Sequence, residues 1–159
     1  MPVVETQPGW TRVLLPSRPN HSTGWLYTAA GGVKVEHNPF HVIVSRSRHA
    51  LSVFKGHHRI GTWAVAVGAP RTPTPTGRTF IMGNMTPPNA AYGPRMMPLG
   101  THSEVLKTFD GGPGTIAFHG WNDASVFGKS VSNGCVRVPA AAQRVLMRLP
   151  LGTNVLITR

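Results

Sequence analysis

Cys135 is the only cysteine in the chain, and it sits in the run Ser132-Asn133-Gly134-Cys135-Val136-Arg137, sixteen positions after His119. A lone cysteine forms no internal disulfide. It is either inert core filler or a nucleophile served by a histidine that the fold brings close. Its neighbours favour the nucleophile. Gly134 allows a sharp turn and close approach of a substrate, and Arg137 brings a positive charge that favours thiolate over thiol. Such chemistry also needs a base, a group to orient that base, and donors for a developing oxyanion. His119 is the base candidate, since it ends an apolar strand-like run and is followed by a glycine. The carbonyl of Gly120 is the candidate to fix its tautomer. Backbone N–H groups of Asn133, Gly134 and Cys135 are the oxyanion candidates. Ser130 and Ser132 lack a Gly-x-Ser-x-Gly elbow and a nearby carboxylate, so they read as turn hydrogen-bonders.

The other histidines give no second site. His37 and His41 have i, i+4 spacing, but Pro39 between them forbids a regular helix. His57 and His58 follow a glycine turn and read as solvated. With no second cysteine and no HExxH spacing, neither a metal nor a cofactor is expected.

The elements that must carry these residues are short strands. Eighteen Gly and fifteen Pro among 159 residues, with only 13% charged residues and 40% hydrophobic ones, argue for one core of β-strands and tight turns. Residues 1–36 read as a small strand-rich arm, with strands at Trp10–Leu15, Trp25–Thr28 and Val33–Val35. Residues 37–159 read as the main domain. There, period-two alternation begins at Phe40–Val44 and continues through Leu51–Phe54, Trp63–Val67, Thr79–Met82, Thr115–Phe118 and Asn154–Thr158. Residues 68–78 and 83–114 are rich in Pro and Gly and read as irregular loops. One short helix is expected after the cysteine. Pro139 is placed at its first position, Ala142, Val145, Leu146 and Leu149 on its apolar face, and Pro150 and Gly152 at its end. Its N-terminus is a candidate to assist a thiolate at Cys135.

Sixteen basic and five acidic residues give a net charge of +11. The charge draws the chain to polyanions, with nucleic acid, anionic membrane and an acidic wall polymer all compatible. The basic residues are scattered, and no nucleic-acid-binding motif is present, so no nucleic-acid partner is expected. No apolar run approaches the roughly 18 residues of a membrane span, and the first residues lack a leader's charged-then-apolar pattern.

His119-Gly120 followed by Ser132-Asn133-Gly134-Cys135-Val136-Arg137 resembles the signature of the L,D-transpeptidases, the YkuD-type catalytic domain. The resemblance spans about residues 40–159 and includes, in order, the Thr72–Gly77 loop, Tyr92-Gly93 and Gly152-Thr153-Asn154-Val155. It implies a mainly β fold, a mixed β-sandwich with one short helix after the cysteine. It also implies a reaction on peptidoglycan: a thioester with the third residue of a tetrapeptide stem, loss of D-alanine, and transfer to an amine of a second stem. Carried over, Cys135 is the nucleophile and His119 the acid/base. Gly120 orients the histidine, and Gly134 and Cys135 donate to the oxyanion. Tyr92 lies in the substrate lid, and Arg137 meets a substrate carboxylate. The implied location is extracytoplasmic, in the cell wall or periplasm, and the implied partners are stem peptides, with anionic wall polymers added by the charge. Where the family usually carries histidine, this chain has Asn133. Four alternatives remain: an L,D-carboxypeptidase with water as acceptor, a wall-binding module weakened in catalysis, a sortase-type thiol transpeptidase, and a nucleic-acid binder suggested by charge alone.

Overall fold

A computed structural model describes residues 1–159, and the chain folds mostly as β-strands. Three antiparallel strands open it: β1 (Val3–Gln7), β2 (Trp10–Leu14) and β3 (Thr23–Tyr27). The β1–β2 turn uses Pro8-Gly9, with Gly9 at φ +75°, the left-handed backbone that glycine tolerates. The expected strand at Val33–Val35 is absent. Both valines are exposed, and Gly31 and Gly32, each at positive φ, precede them. The third strand's place is taken by β1, which the sequence reading left unassigned.

The main body has two packed sheets. The larger has five strands in the order β6-β5-β4-β13-β8: β4 (Phe40–Ser45), β5 (Ala50–Lys55), β6 (His58–Ala64), β8 (Gly77–Phe80) and β13 (Asn154–Thr158). The last strand in the chain enters the sheet's interior, parallel to β4 and antiparallel to β8. The smaller sheet has the order β12-β10-β9: β9 (Met96–His102), β10 (Thr115–His119) and β12 (Val136–Arg137). A two-stranded parallel pair joins β7 (Val67–Gly68) to β11 (Ser130–Ser132). Val42, Val44, Leu51, Val53, Val155 and Ile157 from the large sheet meet Met97, Leu99, Ile116, Phe118 and Val136 from the small one in a single core. Alternation delivers these residues inward because successive strand side chains point to opposite faces.

Several boundaries differ from the sequence reading, and the strand expected at 79–82 lies at Gly77–Phe80. The strand placed at 63–67 begins earlier, at His58, and ends at Ala64, after which the chain crosses over to pair with β11. The region 83–114 is not wholly irregular, because it contains β9 despite Pro98. N–H and C=O of one strand residue face the same side. The Pro98 carbonyl accepts from Met82 N at 2.8 Å, so its donor-less nitrogen faces the bridged 81–85 segment and takes no donor from the ladder to β10, which shifts register between Thr115 and Ala117. Finally, α1 (Ala140–Leu146) is two turns long and Pro139 is its N-cap, with extended ψ of 158°, not its first residue. Ala142 and Leu146 bury its apolar stripe in the core.

Candidate active site

Strands β10 and β12 run side by side in parallel, pairing Phe118 with Val136 and His119 with Arg137. Phe118 and Val136 are fully buried in the core. Their neighbours therefore point the other way, and His119, Arg137 and Cys135 line one cavity of about 230 Å³ on the outer face. Sixteen residues of separation along the chain become one diagonal step across a parallel ladder. Tyr92, Trp121, Met96 and Asn133 line the same cavity.

His119 is 4% exposed, and its Nδ1 lies 2.7 Å from the Gly120 carbonyl oxygen. A carbonyl only accepts, so Nδ1 carries the proton and Nε2 keeps its lone pair. The Tyr92 ring covers the imidazole at 4.3 Å between centroids, and Trp121 flanks it at 6.0 Å. Arg137 stacks on Trp121, its guanidinium carbon 3.6 Å from the ring centroid. Its Nε is buried without a hydrogen-bond partner.

The cysteine turn is built by Gly134 and Ser132, which the sequence reading assigned to it, and by Thr72 and Thr74, whose loop it named without giving them a role. Gly134 has φ +119°, and a Cβ there would approach Ile116 Cδ1 to 2.9 Å, so only glycine fits. Fully buried Thr74 donates from Oγ1 to the Gly134 carbonyl (2.7 Å) and accepts from Gly68 N (2.9 Å). Thr72 Oγ1 donates to the Ser132 carbonyl at 3.0 Å. Inside the turn, Ser132 Oγ donates to the Cys135 carbonyl at 2.5 Å and accepts from Gly134 N at 3.1 Å. Of the two amides that the resemblance offers to an oxyanion, the one at Gly134 is therefore occupied. The Cys135 N–H makes no hydrogen bond within the chain.

Gln143 was missed for a different reason. It sits on α1 where a surface polar residue is ordinary, yet it is 2% exposed and donates from Nε2 to the carbonyls of Tyr92 (2.9 Å) and Arg95 (2.5 Å). The Tyr92 carbonyl also accepts from Gly120 N at 2.7 Å. The 92–95 segment is thus tied to the helix and to the residue after the histidine. The signal was present as a lone glutamine on the inward side of the helix, but its partners lie far away in sequence.

The electrostatics depart from the expectation of a ready thiolate. Burial pushes the Cys135 thiol above its ordinary value, outweighing a backbone hydrogen bond from Ala117 and the positive charge of Arg137. Burial also lowers His119 to about 4, against the raising effect of the Gly120 hydrogen bond and with a further lowering from Arg137. At neutral pH the resting pair is a neutral thiol beside a neutral imidazole. Along the chain, β12 and Val138-Pro139 lie between Cys135 and the first residue of α1. No three His, Cys, Asp or Glu side chains converge as a metal site.

The sequence matches the YkuD family, the L,D-transpeptidase catalytic domain, over residues 39–157. The chain belongs to this family. It is 29% identical to YkuD of Bacillus subtilis over 122 residues, which are 76% of this chain and 67% of that protein. Its fold resembles that of the L,D-transpeptidase LdtMt1 solved in complex with imipenem (TM-score 0.57, 18% identity, covering 76% of this chain and 59% of that one). It also resembles an L,D-transpeptidase from Mycobacterium smegmatis (TM-score 0.59, 16% identity, 89% and 69%). The chain thus spans only part of the length of these relatives.

Two outcomes test this site. Between pH 6.5 and 4 the unfolded chain protonates His119 while the folded chain does not. Stability is therefore complete above 6.5 and is lost as pH falls, by about 3 kcal/mol for a shift of this size. The loss of unfolding free energy from pH 7 to 4, measured by urea titration, should be smaller by about that amount in His119→Gln, which retains every other titrating group. Thr74→Val keeps the shape but strands a buried N–H and a buried C=O. It should cost about 2–4 kcal/mol in urea unfolding and slow alkylation of Cys135, while Thr74→Ser stays near wild type in both assays.

Proposed function

We propose that this chain is a cysteine-dependent L,D-transpeptidase of peptidoglycan, with its catalytic domain at residues 37–159 and an arm at residues 1–36. The observation that carries the reading is the common placement of Cys135 and His119 on one face of β10–β12, inside one cavity, with Nδ1 committed to Gly120 and Nε2 left free.

The chemistry follows from a neutral pair. As the sulfur of Cys135 attacks the carbonyl of the third stem residue, its proton passes to His119 Nε2. A raised thiol pKa and an unprotonated imidazole make this a base-assisted step in place of attack by a standing thiolate. The Cys135 N–H faces the developing oxyanion. Gly134 N–H joins it once Ser132 Oγ releases the bond, so Ser132 is a turn residue that sets the second donor. Collapse breaks the C–N bond, and His119 returns the proton to the leaving amine of D-alanine. The acceptor amine then gives a proton to His119 and attacks the thioester, restoring the thiol. Tyr92 covers the imidazole and holds water away from it. Arg137, with an unpartnered Nε and its guanidinium stacked on Trp121, takes a substrate carboxylate.

Asn133 is exposed at the cavity rim and stands where the family usually has histidine. Its amide donates to substrate and does not titrate. The base role rests on His119 alone. The net charge of +11 concentrates the protein on anionic wall polymers, and such a substrate places its work outside the cytoplasm.

Intact-mass measurement after mixing with a carbapenem should give one covalent adduct that disappears in Cys135→Ala. Turnover of a tetrapeptide donor should release D-alanine and, with an acceptor amine, yield cross-linked product. Hydrolysed tripeptide alone, even with acceptor in excess, would replace the transferase by the carboxypeptidase. The pH–rate profiles of the wild type and Asn133→His should share the same acid limb. A wild type inactive at every pH, with activity appearing in the variant, would move the base away from His119.

A further inference from the structure

Residues 1–36 precede the family match, which begins at 39, yet side chains from the connection after β2 reach the walls of the cavity. Arg18 spans three carbonyls of one loop: Nη1 donates to Ser103 O at 2.7 Å, and Nη2 donates to Leu106 O at 3.2 Å and Pro113 O at 2.8 Å. Asn20 exchanges both bonds with the backbone of His102, donating from Nδ2 to its carbonyl (2.8 Å) and accepting from its N–H (2.9 Å). His21 Nε2 lies 3.0 Å from Thr76 O. Gly77 makes room for that ring, since a Cβ there would sit 2.1 Å from Nε2.

The loop so gripped runs from Ser103 to Gly114. Its neck is closed by Ser103 N donating to Gly114 O at 2.8 Å, and its tip is a turn in which Phe109 and Gly112 exchange backbone bonds of 2.9 Å. Between neck and tip it has little core of its own. Glu104 and Val105 are exposed, as is every residue from Lys107 to Gly111. Yet Phe109, Asp110, Gly112, Pro113 and Gly114 line the same cavity as Cys135. A wall with few buried contacts keeps its place only through ties at its base. One planar guanidinium joining both legs of the neck and the carbonyl between them is such a tie. The compact charge of a lysine cannot reproduce its fork.

We propose that Arg18, with Asn20, is a positioning device through which the N-terminal arm sets the 103–114 wall. The wall then holds an extended peptide donor within reach of Cys135. This rests on the transpeptidase reading for the identity of the donor. Arg18 touches no reacting atom. Its loss weakens donor binding and leaves the reactivity of the thiol intact.

The test uses the full chain with Arg18→Ala, Arg18→Lys and Asn20→Ala. It reads amide hydrogen exchange, steady-state kinetics with a tetrapeptide donor, and the rate of Cys135 alkylation by iodoacetamide, which needs no wall. Arg18→Ala should speed exchange across 103–114 while β10 and the strands around the core stay protected. It should raise KM about tenfold with a smaller change in kcat and an unchanged alkylation rate. Arg18→Lys should recover only part of the loss, and Asn20→Ala should move the same quantities less far. Unchanged exchange in both alanine variants overturns the tie between arm and loop, whether or not the enzyme turns over. A loosened loop with unchanged KM overturns its role in donor binding. A wild type that turns over no stem peptide overturns the transpeptidase reading and the donor clause with it, and the exchange data alone then decide the arm–loop tie.

Discussion

The parallel pairing of β10 with β12 is the constraint on which the site depends. Because Phe118 and Val136 are both driven into the core, alternation forces His119 and Arg137 outward at the same level. Cys135, one step before the strand, follows onto that face. A one-residue slip of either strand would drive the imidazole into the hydrocarbon core or turn a phenylalanine out of it, and the hydrophobic cost of the slip holds the register. Core packing and catalytic geometry are the two faces of one ladder.

The nucleophile turn cannot hold itself. Gly134 occupies backbone that other residues avoid, and the carbonyls at 132 and 134 lie away from solvent. Thr72 and Thr74 meet those carbonyls from a proline-rich loop that forms no strand of its own there. Prolines at 70, 73 and 75 stiffen that loop, so its hydroxyls arrive already placed. The same design recurs around the cavity, where Gln143 bonds the 92–95 segment and Arg18 the 103–114 loop. Each tie is a side chain bonded to the backbone of a distant loop. Irregular segments that cannot satisfy their own carbonyls keep a fixed shape in this way.

Burial sets the protonation states. A thiol raised by desolvation and an imidazole lowered to about 4 by the same cause are uncharged together at neutral pH. The positive charge of Arg137 acts on both in the lowering direction, which helps the thiol ionise and keeps the imidazole neutral.

Much of this was legible in the residues. The alternating runs placed strands at 40–44, 51–54, 115–118 and 154–158, within one residue of the observed ends, because each has one face in the core and period two is a local property. The Cys135 and His119 motifs led to the family. The strand at 96–102 was hidden by Pro98, whose orientation toward one side of the ladder is not a local matter, and β1 was hidden because its alternation is weak and its partner lies across a turn. The sequence by itself determined which side chains are available for chemistry and which segments can be strands. Only the tertiary structure decided that burial raises the thiol and lowers the imidazole, that Gly134 N–H is already engaged, and that Thr74 bonds the cysteine turn, Gln143 the Tyr92 segment and Arg18 the 103–114 loop. Burial and long-range hydrogen bonds depend on which parts of the chain meet in space, and spacing along the chain does not encode that.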